Sequence, residues 1–237
     1  MKINLAGKIA LVTGGTGNLG RVVVKTFADA GAKVASTFPP GGERRGMTPN
    51  LRKRVLLVEA DVTDSRQVVA LFSEVWSRLG SVSILINIVG GYLPAKRIEE
   101  VSTEDWDRMM TLNLKSTFLC SREFLSRLPK RRSYGRIICM SAMPALVPAA
   151  NRGPYAVSKS GVSVLTKVIG EETKESGVTC NAIAPSIIRT RANMEAMPKA
   201  DFMKWVSPNE IASTMLYLCS KRARLINGLT IPMFGGI

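Results

Sequence analysis

Tyr155 and Lys159 stand four residues apart in Pro154-Tyr-Ala-Val-Ser-Lys-Ser160, a spacing that puts both side chains on one face of a helix. A phenol with an ordinary pKa of about 10 is a poor base at neutral pH, but a neighbouring ammonium favours the phenolate. The pair can therefore give a proton to a carbonyl oxygen or take one from an alcohol. The chain contains no His, which removes every His-based triad, His metal site and His general base. Acid/base work falls to Tyr, Lys, Asp, Glu or Cys, and no metal site is expected. Cys120, Cys139, Cys180 and Cys219 are widely spaced, lack any CxxC pairing and mostly sit in apolar segments, which predicts buried free thiols in a reducing compartment.

A second chemical feature is Thr13-Gly14-Gly15-Thr16-Gly17-Asn18-Leu19-Gly20, which follows an apolar run and opens a long helical pattern. Free backbone N–H groups and the helix dipole at such a turn favour a pyrophosphate, and the glycines permit its close approach. It is not a Walker loop, since no Gly-Lys-Ser/Thr follows.

The elements that must position these residues alternate along the chain. Strands are predicted at Ile9–Thr13, Lys33–Phe38, Val55–Val58, Ile84–Asn87, Gly135–Ser141, Thr179–Ala184 and Leu229–Met233. Helices are predicted at Leu19–Ala30, Arg66–Leu79, Glu104–Leu128, Pro154–Glu175 and Asn209–Lys221. Asp64-Ser-Arg-Gln67, Ser102-Thr-Glu-Asp105 and Ser207-Pro-Asn-Glu210 supply helix starts. Repeated βαβ units imply one α/β domain over residues 1–237, a single-domain Rossmann fold with a doubly wound parallel sheet of about seven strands flanked by helices. Residues 39–54 and 191–206 break the alternation and read as loops or short irregular helices, the second forming a substrate lid near 190–207.

The glycine-rich loop resembles the TGxxxGxG fingerprint of the short-chain dehydrogenase/reductase family, and the resemblance extends over essentially the whole chain. Asn87-Ile-Val-Gly90 is similar to the family's NNAG segment, Asp61-Val62 sits where the family holds the adenine ring, and Tyr155-Ala-Val-Ser-Lys159 matches its YxxxK. Asn113, within Leu-Asn-Leu, resembles the family's catalytic Asn, and Pro185 to Thr190 resembles the segment gripping the nicotinamide, with Ile188 and Thr190 at the contacting positions. The resemblance implies an NAD(P)-dependent oxidoreductase that moves hydride between nicotinamide and a carbonyl or alcohol. Tyr155 would be the general acid/base, Lys159 would also hold the nicotinamide ribose, and Asn113 would steady a water that resupplies protons. Gly14, Thr16, Asn18, Leu19, Gly20, Phe38, Asp61, Val62, Asn87, Gly90, Tyr155, Lys159, Pro185, Ile188 and Thr190 would bind the cofactor.

The chain also departs from the family pattern. Asn18 replaces the second fingerprint glycine, where Asn best tolerates positive φ; Ser186 replaces a glycine, and Phe234 replaces an Asp. The family's substrate-orienting Ser lies one residue nearer the Tyr than Ser141, and Ala142 occupies that place. Either Ser141 takes the catalytic role or the site works without this hydroxyl. Dihydropteridine reductase, a family relative, also lacks the Ser. The segment from Met197 to Trp205 and Gly90-Gly91-Tyr92 resemble parts of it, so a pterin substrate stands beside a carbonyl one. Where NAD-preferring relatives place an acid, this chain has Phe38, with Glu43, Arg44 and Arg45 beyond, which favours NADP(H) over NAD(H).

An apolar, adaptable wall over the nicotinamide is expected from Tyr92, Met143, Leu146, Val147, Met194, Met197, Phe202 and Trp205, with Asn151 and Arg152 as the polar selectors. Nothing reads as a signal peptide or bilayer span, and a cytoplasmic, non-membrane protein is expected. The net charge of +15 is spread over clusters at Arg44, Arg45, Arg52, Lys53 and Arg54, at Arg127, Lys130, Arg131, Arg132 and Arg136, and at Lys221, Arg222 and Arg224. Without interleaved aromatic residues these read as solvated charge, and nucleic acid is not an expected partner. The resemblance implies a homo-oligomer, dimer or tetramer. A catalytically weak NADP-binding regulatory protein is the competing reading.

Overall fold

Alternating side chains on short apolar strands are used here to build a core on each face of one sheet. The computed structural model describes residues 3–42, 47–128 and 133–237. Its strands are β1 (Ile9–Thr13), β2 (Lys33–Phe38), β3 (Val55–Glu59), β4 (Ile84–Asn87), β5 (Gly135–Met140), β6 (Val178–Pro185) and β7 (Thr230–Met233). Every pairing is parallel, in the order β3-β2-β1-β4-β5-β6-β7. On β4, Ile84 and Ile86 enter one core and Leu85 the other; on β5, Ile138 and Met140 oppose Ile137 and Cys139. A strand covered on both faces is apolar at most positions, so these runs lack regular polar alternation.

The helices are α1 (Gly20–Asp29), α2 (Pro49–Arg52), α3 (Ser65–Leu79), α4 (Thr103–Met109), α5 (Ser116–Ser126), α6 (Met143–Leu146), α7 (Gly153–Thr173), α8 (Arg191–Ala196) and α9 (Pro208–Leu218). Val23, Val24 and Phe27 of α1 and Ile211 and Met215 of α9 fill one core. Leu71 and Phe72 of α3, Leu119 and Phe124 of α5 and Val162 of α7 fill the other. The starts are capped as their sequences require. Asp64 accepts from the N–H groups of Arg66 and Gln67, Ser102 from Asp105, and Ser207 and Glu210 bond reciprocally.

One predicted helix is interrupted, and the two irregular stretches hold the short helices expected of them. The predicted helix Glu104–Leu128 is α4, a π-helical segment Met110–Lys115, and α5. Residues 39–54 include α2, started by Thr48 and Pro49. Residues 191–206 hold α8 and a 3-10 turn, Phe202–Lys204, leading into α9.

The basic clusters disperse. Arg54 pairs with Asp29 at 2.8 Å, Arg127 pairs with Glu123, and buried Arg136 donates to the carbonyls of Gly135 and Gly177. Glu43, Arg44, Arg45, Lys130, Arg131 and Arg132 lie outside the described residues. All four cysteines are buried and unbonded. Among the described residues, no helix is long and apolar enough to cross a membrane. The sheet order reverses beside β1, which has β2 on one side and β4 on the other. At such a switch point the chain leaves adjacent strands in opposite directions, opening a crevice at their carboxyl ends.

Candidate active site

The glycine loop turns out of β1 into that crevice. Gly14 sits at φ +69°, its N–H donates to Thr37 Oγ1 at 2.9 Å, and the Gly17 N–H returns to the Gly14 carbonyl at 3.1 Å. A Cβ on Gly20 would lie 2.1 Å from the Gly14 carbonyl oxygen, so α1 can start this close only with glycine there. Leu19, at the N-cap of α1, offers no side-chain acceptor. The Arg21 N–H bonds back to the Gly17 carbonyl and the Val22 N–H to that of Leu19, which leaves the N–H groups of Asn18, Leu19 and Gly20 for another acceptor, and an anion is the natural one. The positive φ expected of Asn18 is not used: among the described residues Asn151 alone of the non-glycines has one, and Asn18 accepts from Arg21 instead. Thr16 lies in the same turn, half-buried.

Thr13 ties the two lips of the crevice together. Its hydroxyl accepts from the N–H groups of Ile88 and Val89 at 3.0 and 3.3 Å, just beyond β4. Asn87 is buried, and its amide donates to Ser121 and to the Cys139 thiol, while its Oδ1 has no partner. At the other end, Phe38 is 1 % exposed and presents no polar group. The Asp61 Oδ1 accepts from both the N–H and the hydroxyl of Thr63, at 2.8 and 2.7 Å, and Val62 is buried beside it.

Tyr155 and Lys159 lie on α7, where proline at the second position gives a well-defined start. Lys159 is 5 % exposed, its Nζ donates to the Met140 carbonyl at 2.9 Å, and burial brings its pKa down to about 8. Burial pushes the Tyr155 phenol up to about 12, partly countered by the nearby charge of Arg152. Tyr92 meets the Tyr155 ring edge-on at 5.4 Å.

Asn113 is buried at the centre of the π-helical segment. It accepts from the Gly91 N–H at 2.8 Å and donates to the Gly91 carbonyl and to Ser158 Oγ, at 3.2 and 3.0 Å. A Cβ on Gly90 would fall 2.7 Å from Asn113 Oδ1 and 3.0 Å from Lys159 Nζ, so glycine allows the β4 loop, Asn113 and Lys159 to converge. A π-bulge is a common way to reset side-chain phase at a functional site, and here it turns one Asn inward.

Ser141 is also buried, but its hydroxyl donates to the Lys159 carbonyl at 3.0 Å and shares a 2.8 Å hydrogen bond with Ser163. It is engaged in docking β5 onto α7. Ala142, the next residue, opens the turn into α6 with an extended backbone. Pro185 closes β6; Ile188 bridges to Val206, and the Thr190 hydroxyl caps α8 by accepting from Asn193. Of the expected wall, Tyr92, Leu146, Val147 and Met197 are exposed, whereas Trp205 is buried against Phe202 with ring centroids 4.9 Å apart.

Ser158 and Ser163 are contributors that the motifs do not single out, and the bonds that Thr13 makes to the β4 loop are not implied by its place at the head of the fingerprint. Only position beside Tyr155 and Lys159 hints at the two serines, because a Ser or Thr carries no signal of its own until its partner is known. The expected site residues otherwise line one edge of the sheet, from the ends of β2 and β3 to the end of β6.

The family model described as short chain dehydrogenase matches residues 8–201. The chain is 28 % identical to a 3-oxoacyl-(acyl-carrier-protein) reductase from Aquifex aeolicus, covering 100 % of both chains. It is 32 % identical to an NADPH-dependent aldehyde reductase of Arabidopsis thaliana, over 98 % of this chain and 94 % of that one. A solved short-chain dehydrogenase/reductase from Serratia marcescens superposes with a TM-score of 0.85 at 29 % identity, with 98 % of each chain covered.

Proposed function

Because the chain belongs to the short-chain dehydrogenase/reductase family and is an NAD(P)-dependent oxidoreductase, we propose that Tyr155 is its proton donor, aided by Lys159 and Asn113, in the reduction of a carbonyl substrate. The observation that carries this reading is the convergence of three groups. A buried ammonium and an Asn held by a π-bulge meet around Gly90, and the phenol stands one helical turn before the ammonium on α7. A charged Lys159 favours the phenolate left when Tyr155 gives up its proton.

The residues present suit a dinucleotide. A side chain at Gly20 would close the cradle, and Leu19 leaves the start of α1 uncapped. Gly14, Thr16, Asn18, Leu19 and Gly20 would hold the pyrophosphate, Asp61 and Val62 the adenine, and Lys159, Pro185, Ile188 and Thr190 the nicotinamide half, with Phe38, Asn87 and Gly90 shaping the walls between. The bound nicotinamide supplies the hydride. A buried Phe38 in place of a carboxylate removes repulsion toward a 2′-phosphate, which supports NADP(H) over NAD(H).

The serine-free form of the site is the one the hydrogen bonding supports, since the Ser141 hydroxyl already serves the Lys159 carbonyl and Ser163. It is also the form in which a quinonoid dihydropterin, which needs no alcohol-type oxyanion held by Ser, remains a second candidate substrate. Steady-state hydride transfer by Tyr155→Phe, on a panel of ketones, aldehydes and quinonoid dihydropterin, tests the assignment. A fall in kcat of about 10²- to 10⁴-fold is expected for carbonyl substrates. Unchanged rates across the panel would refute it.

A further inference from the structure

Among the described residues, Arg152 has no acidic partner, and it stands at the mouth of this site. It occupies the N-cap position of α7, three residues before Tyr155, and its guanidinium carbon lies 5.1 Å from the centroid of Tyr92, the ring that meets Tyr155 edge-on. Its Nη1 is buried and has no hydrogen-bond partner. Three acids of the neighbouring segment are committed elsewhere, and none of its acids pairs with Arg152. Asp105 pairs with Lys96 and Arg108, Glu99 pairs with Arg97, and Glu100 accepts from the Arg97 N–H. The adjoining Asn151 carbonyl accepts from the Lys96 N–H. Arginine remains charged at any working pH, and a buried N–H of a guanidinium left without an acceptor is costly. A ligand that supplies an acceptor here would remove that cost.

We propose that Arg152 is the specificity-determining residue of the site: it pairs with a carboxylate of the substrate, so that the substrate is a short-chain oxo acid whose carbonyl is presented to Tyr155. This rests on the reading of Tyr155 as proton donor. Residues three apart on a helix are neighbours on one face, so a guanidinium at 152 and a phenol at 155 can address two groups of one small molecule. The planar fork of Arg suits a carboxylate bidentately, and the guanidinium lies over the Tyr92 ring.

The test is a matched series of 2-, 3- and 4-oxo acids and their methyl esters, assayed with NADPH and titrated calorimetrically into the NADP-loaded protein. Parent, Arg152→Gln and Arg152→Lys are compared. The parent is expected to favour at least one acid over its ester by about 10- to 100-fold in kcat/KM and in affinity. Arg152→Gln loses that preference, its rate on the acid falling well below its rate on the ester relative to parent, and Arg152→Lys restores part of it. Parent that treats acid and ester alike, or binds no acid, overturns the proposal. So does Arg152→Gln lowering acid and ester rates in parallel, which would mean that Arg152 only tunes Tyr155. Acid-selective binding that depends on Arg152 but comes without turnover would leave the carboxylate site standing and refute the proton-donor reading instead.

Discussion

Lys159 is held at a position where burial works against its charge, bringing its pKa from an ordinary 10.5 to about 8. Both folded and unfolded forms carry the proton at pH 7, so this shift is a cost to the fold, fully present below pH 8 and relieved as pH rises from 8 toward 10.5. A difference of that size corresponds to about 3 kcal/mol, against which the bond to the Met140 carbonyl returns about 1 kcal/mol. Lys159→Met should therefore be inactive yet more stable than the parent by about 1–2 kcal/mol at pH 7. Chemical denaturation at about pH 7 and about pH 9.5 checks this: the gap should narrow at the higher pH, and a destabilised variant at neutral pH would contradict it. At the neighbouring strand end, Ser141→Ala should leave kcat within about threefold while costing about 1 kcal/mol of stability, because its hydroxyl serves β5–α7 docking. Ala142→Ser should instead raise turnover on simple ketones, by up to about 100-fold if the new hydroxyl reaches the developing oxyanion. The opposite pattern in steady-state rates would return the catalytic role to Ser141.

At the scale of elements, the geometry depends on two close approaches. The first is the entry of α1 beside β1, where a Cβ on Gly20 would meet the Gly14 carbonyl at 2.1 Å. Gly20→Ala should push the loop out of shape and weaken NADPH binding by more than about tenfold, read by fluorescence titration with thermal unfolding as the control for folding. Retained affinity in a folded variant would show that α1 does not hold the pyrophosphate. The second is the β4 loop against the π-helical segment, where Gly90 and Gly91 pass Asn113. The sequence predicts uninterrupted helix there, since a π-bulge leaves the apolar pattern of its flanks almost unchanged and is set by hydrogen bonds to another element. Strand and helix positions are legible because apolar runs, caps and Gly or Pro punctuation act locally. The half-capping at Asp64 shows the limit: Gln67 reaches the Asp61 N–H rather than completing a box with Asp64.

Across the whole molecule, a net charge of +15 creates a field that draws in anions, and the strand end where a carboxylate would select NADH holds the buried ring of Phe38. NADPH should bind several-fold tighter than NADH at about 20 mM salt, and the difference should shrink toward about 500 mM as the 2′-phosphate is screened. Equal affinities at low salt, measured by fluorescence titration, would remove the cofactor preference. The basic clusters behave in the same terms. Adjacent in sequence, their described members include two ion-paired arginines, Arg54 and Arg127, and the buried Arg136, so charge runs say little about a contiguous patch.

The sequence by itself determined the α/β class, the seven parallel strands, the glycine cradle and the helical pair Tyr155–Lys159. These follow from local periodicity, from backbone freedom at glycine and from the four-residue helical repeat, all properties of neighbouring residues. Only the tertiary structure decided what Ser141 does, how Asn113 is turned inward, and that Arg152 stands beside Tyr92 with a buried N–H unmatched. Each of these depends on which atoms of distant segments lie within hydrogen-bond reach, and that is fixed by how β5, the β4 loop and α7 pack rather than by any spacing along the chain.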